Sequence, residues 1–74
     1  MEKYIVNFEV DIINPKSKLG LSISRKIGTS NFHSELSSEQ LMDKKEEVAK
    51  IIAKDLTSQG IMVFGNLDVK SISK

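Results

Sequence analysis

From Tyr4 to Ile13 the chain alternates with a period of two. Tyr4, Val6, Phe8, Val10 and Ile12 point one way, and Ile5, Asn7, Glu9, Asp11 and Ile13 point the other. Alternation rich in β-branched and aromatic residues is the pattern of a strand with one face buried. No other feature limits the fold as much. A lone strand cannot bury that face, so its neighbours and its cover must come from the rest of a short chain. Asn14-Pro15-Lys16-Ser17 then supplies turn chemistry, because proline fixes φ and withholds a ladder donor. Beyond it, Leu19, Leu21, Ile23 and Ile27 share one face, while Ser22, Ser24 and Lys26 share the other. The two runs predict a hairpin. From Gly28 to Glu35 the pattern lapses, which predicts a connecting loop.

A helix follows, with both ends marked. With Ser37 as N-cap, Gln40 takes the third helical position and completes a capping box, while Leu36 and Leu41 have the spacing of a hydrophobic staple. At the far end Gly60 suits a left-handed cap, with Ile61 placed to pack on Leu56 as in a Schellman motif. Between these ends, Leu41, Val48, Ala49, Ile52 and Leu56 fall on one arc of the helical wheel, widened by Met42, Ile51 and Ala53. Asp43, Glu47, Lys50 and Lys54 form the opposite, mixed-charge face, which is unlike a basic membrane-binding helix.

The last run, Ile61 to Ile72, contains Gly65-Asn66. A tight turn there would split it into a hairpin. Ile61, Val63, Leu67 and Val69 keep one parity across the glycine, however, which favours a single strand with a bend or bulge at Gly65. The expected fold is therefore a single α+β domain over residues 1–74, of pattern β-β-α-β. Its three-stranded, mainly antiparallel sheet has one amphipathic helix on one face. A third strand beside the first would be antiparallel and give order 2-1-3; beside the second it would form a parallel unit. The antiparallel order is expected.

Seventy-four residues bury a limited core, and a chain without cysteine has neither disulfides nor thiolate metal sites to reinforce it. Self-association is one remaining source of stability. Eleven basic residues against ten acidic ones give too small an excess for a typical phosphate-binding domain. No apolar run is long enough to span a membrane, and the first residues show no secretory segment, so a cytoplasmic protein is expected. Composition of this kind suggests an accessory or inhibitory protein of a phage or mobile element.

Residues able to carry chemistry are few. His33, the single imidazole, could act as a general base or a pH-sensitive contact, or could be a solvated loop residue with Phe32 beside it at the core edge. Glu9 and Asp11 share a strand face about 7 Å apart by strand rise. They could hold a hard cation or simply face water. Gly20, Gly28, Gly60 and Gly65 are too scattered to make a phosphate loop. No catalytic residue, cofactor or metal is expected. Lys45 falls inside the helix's apolar arc, where its stem could cover the core rim or its amine could meet a partner's carboxylate.

Two surfaces remain. Lys16, Lys18, Arg25 and Lys26 form a stretch without acidic residues, and a basic hairpin could grip nucleic acid or serve only to protect a sheet edge. On the sheet face opposite the helix, strand parity places Ile5, Ile13, Met62, Phe64 and Ile72. Such a cluster on a domain short of core suggests an interface. The expected function is a non-enzymatic protein-protein interaction module, homodimeric and binding another protein, with nucleic-acid binding through the hairpin as the alternative.

Overall fold

The computed structural model describes residues 1–17 and 20–74, without the side chains of 15–17 and 21. Strand β1 spans Glu2–Ser17, β2 Gly20–Ser34, helix α1 Ser38–Asp43, helix α2 Lys45–Ser58 and strand β3 Val63–Ser73. The sheet has the expected order β2-β1-β3, antiparallel at both junctions. The helices cover one face of it, with α2 packed chiefly on β3. The molecule is elongated, 45 × 19 × 16 Å, because the hairpin of β1 and β2 is longer than the layer above it.

Tyr4, Val6, Phe8 and Val10 are buried under the helices, together with Leu41, Val48, Ala49, Ile52, Leu67 and Val69. This is the expected alternation of β1 packed against the expected arc of the helix. The phenol of Tyr4 donates to the carbonyl of Leu36 at 2.7 Å, which satisfies its hydroxyl and ties the strand to the connection into α1. The Ser37 hydroxyl accepts from the Gln40 amide at 3.2 Å, and the Gln40 side chain accepts from the Ser37 amide at 2.9 Å. The capping box is complete. At the other end Gly60 has φ +89°, its amide donates to Thr57, and the Ile61 amide donates to Leu56. That pair of bonds is the Schellman motif.

Four expectations need correction. First, the helix is two: it breaks at Lys44, whose φ of −112° and ψ of 28° leave the helical region. Within α2 Lys45 still precedes Val48, Ala49 and Ile52 at the spacing of one face, yet it is exposed at the start of the helix, as is Ile51 further along. Second, the hairpin does not turn at Asn14–Ser17. Strand β1 continues to Ser17, opposite Gly20, and the Pro15 region is an irregularity in the ladder, where a residue without an amide proton fits. The residues between Ser17 and Gly20 lie outside those described.

Third, Gly28–Ser34 is strand and not loop, paired from Phe8↔Gly28 to Glu2↔Ser34. Nothing in its own composition marks it. It is a strand because β1 needs a partner along its whole length. Fourth, Ile72 lies in the core, 8% exposed, and not on the open face. Asn7 pairs with Ser71 but Phe8 pairs with Val69, so Lys70 is an extra residue that reverses the parity beyond it. Between Asp68, opposite Glu9, and Phe64, opposite Asp11, β3 carries two extra residues around Gly65, φ +72°. Two leave the parity unchanged, so Val63 and Leu67 face the same side, as expected of one bulged strand.

Candidate functional site

The face of the sheet away from the helices reads as rows across the three strands. The register places Ile23, Ile13 and Met62 in one row, with the Ile13 amide donating to the Met62 carbonyl at 2.9 Å. The next row is Arg25, Asp11 and Phe64, and the next Ile27, Glu9 and Asp68. Then come Thr29, Asn7 and Ser71, with an Asn7-to-Ser71 side-chain hydrogen bond of 2.8 Å, and finally Asn31, Ile5 and Ser73. Apolar residues thus gather at the hairpin end, around an ionic middle.

Of the residues expected at an interface, Ile13, Met62 and Phe64 come together. Ile5 is on the same face but about 27 Å away by strand rise, among polar neighbours. Ile72 is not on this face. Phe64 is 50% exposed, and Met62, Ile23 and Ile5 are also exposed. Ile27, at 80%, is barely covered at all. Sequence reasoning missed Ile23 and Ile27 as members of this patch, although it grouped them on one face of β2. Their position follows only from the register, which depends on where the hairpin reverses.

The ionic middle is built on Arg25. Its Nη2 lies 2.8 Å from Glu9 Oε2, its Nη1 3.3 Å from Asp11 Oδ1 and its Nη2 3.9 Å from Asp68 Oδ2. Lys70 Nζ sits 2.9 Å from Asp68 Oδ2. The hydrogen bond to Glu9, followed by that to Asp11, raises the Arg25 pKa above its already high value. The Lys70 hydrogen bond lowers that of Asp68, with Arg25 and Lys45 adding their charge, and Asp68 in turn raises Lys70. These groups are solvent-exposed, so screening keeps the network modest in energy. Its effect is to fix side-chain positions and to occupy the Glu9–Asp11 pair with a guanidinium.

The basic hairpin is correspondingly divided. Arg25 is bound to carboxylates on one face, while Lys26, opposite Val10, points to the other. The Lys16 side chain and Lys18 lie outside the described residues. His33 is an exposed strand residue opposite Lys3. Among the described residues no group of three or more His, Cys, Asp or Glu side chains could hold a metal ion. A groove of about 630 Å³ lies between α2 and β3, lined by Lys45, Ala49, Ala53, Leu67 and Asp68 among others. Among the described residues no helix is long and apolar enough to cross a membrane. No protein-family model, curated protein or solved structure matches the chain.

Proposed function

We propose that this domain is a non-enzymatic interaction module that binds a second copy of itself through the uncovered face of the sheet. The observation that carries this reading is the patch of Ile13, Ile23, Met62 and Phe64, with Ile27 beside it, on a face that neither helix reaches. Fully burying one such side chain contributes about 1.5–3 kcal/mol, a large gain for a domain of this size. The adjoining row carries both signs of charge, so a second copy turned by half a revolution can match acid to base. In a two-fold interface each contact occurs twice, and small gains add up.

The test is sedimentation combined with thermal melts. Wild type should be a dimer or larger at micromolar concentration, with a melting temperature that rises with protein concentration. Phe64→Lys should weaken association by at least tenfold and flatten that dependence, while Lys50→Glu on the exposed helix face should change neither. A wild type that sediments as a monomer at about 100 μM, well above the Kd of a useful dimer, would overturn the reading. Nucleic-acid binding through Lys16, Lys18, Arg25 and Lys26 is the weaker reading, since Arg25 already has carboxylate partners.

A further inference from the structure

We propose that the outer edge of β2 pairs antiparallel with the same edge of a second copy, about a two-fold axis at Ile27, to double the three-stranded sheet. The inference rests on the reading of the domain as self-associating, but it places a contact distinct from the open face.

The Ile13 amide donates to Met62 in β3, so it points away from β2. In an antiparallel ladder the amide and carbonyl of one residue point the same way, and the direction alternates along the strand. Ile13 lies opposite Ile23, so that pair exchanges no hydrogen bonds and the Ile23 backbone groups point outward. The register is unbroken from Asn14↔Ser22 to Glu2↔Ser34, which carries the alternation through Arg25, Ile27, Thr29, Asn31 and His33. All of these expose their backbone groups at the edge, and among the described residues no strand pairs there.

The other edge of the sheet is different. Strand β3 is interrupted at Lys70 and around Gly65, and α2 packs chiefly on this strand. Bulges and a covering helix are common ways to prevent pairing at an edge. Between Ser22 and Ser34, β2 has no bulge and no proline. Its two charged residues there are Arg25, engaged within its own sheet, and Lys26. Among the described side chains of this strand the most exposed large apolar one, Ile27, stands at its middle.

The composition of β2 favours its own copy as the occupant. An axis at Ile27 sets Ile27 against its equivalent, Arg25 against Thr29, Lys26 against Gly28 and Ile23 against Asn31. No like charges meet, and the whole strand is used. An axis at Arg25 or Lys26 would set that cation against itself. An axis at Thr29 would shorten the pairing and put Arg25 opposite His33.

Amide hydrogen exchange tests this without any substitution. At concentrations where the protein is associated, the amides of Arg25, Ile27, Thr29 and Asn31 should be protected, and on dilution they should lose at least tenfold of that protection. Those of Ser24, Lys26 and Ser30, which point to β1, should stay protected throughout. Thr29→Pro gives an independent check. Its amide makes no bond within the domain, so proline should leave the fold intact and weaken association at least tenfold. Outward amides that exchange freely in the associated protein overturn the edge contact. If Phe64→Lys also dissociates that protein, the open face alone is the interface. If Phe64→Lys stays associated with its outward amides protected, the edge stands and the open-face reading fails. A protein monomeric at about 100 μM overturns both, and leaves the edge to a foreign strand.

Discussion

At Gly28 a hydrogen atom in place of a side chain lets the Phe8 ring lie across β2. A methyl group built there would approach Phe8 Cζ to 2.9 Å and Cε1 to 3.2 Å. Phe8 is buried, so its ring can retreat only by disturbing the core. Gly28→Ala should therefore lower stability by about 1–3 kcal/mol, the usual cost of overfilling a packed site, as read from urea midpoints. Adding Phe8→Leu should recover part of the loss, since contacting residues do not act additively. An unchanged midpoint in Gly28→Ala would mean that the ring has room to move. In the sequence this glycine looks like the start of a loop. Its role depends on a partner twenty residues earlier, and local pattern does not reach that far.

At the scale of elements, the most legible features are those whose hydrogen bonds close within one turn. The N-cap at Ser37 and the left-handed Gly60 each involve residues a few positions apart, so spacing alone identifies them. Ser37→Ala should cost about 0.5–2 kcal/mol, and Gln40→Ala less. Because their two bonds are reciprocal, the double variant should cost less than the sum of the single ones in denaturant melts. Full additivity would mean that the two bonds form independently. The strand order was legible too, from parity and connection lengths. The break at Lys44 carries no glycine or proline to announce it. The faces of β2 and of Ile72 escaped for a related reason. A one-residue bulge moves every later side chain to the other face, a shifted hairpin changes which residues share a row, and both arise from pairing between distant segments. Four of the five expected interface residues kept their face, and the fifth was lost to the single extra residue at Lys70.

For the molecule as a whole, the ionic row makes stability depend on pH in a defined direction. The Asp68 carboxyl titrates below its unfolded value of 3.8. Its contribution is complete above that value and fades as pH falls through the lower, folded one. Lys70 is raised above 10.5, so its contribution is complete below that value and fades only as pH climbs past it. The difference in urea midpoint between wild type and Asp68→Asn should stay constant from about pH 5 to 9 and close toward about pH 2. A gap that persists in strong acid would show that the side chain acts through something other than charge.

Strand order has a consequence for the sequence of folding events. The first strand is the middle one, so one of its sides meets β2 across a short reversal, while the other waits for a segment that begins at Val63. Closing the larger loop is entropically the slower step. A hairpin formed without β3 would leave Val6 and Val10 uncovered and one edge of β1 open. The two junctions of the central strand therefore differ in the chain entropy each must overcome, and the junction with β3 carries the larger share.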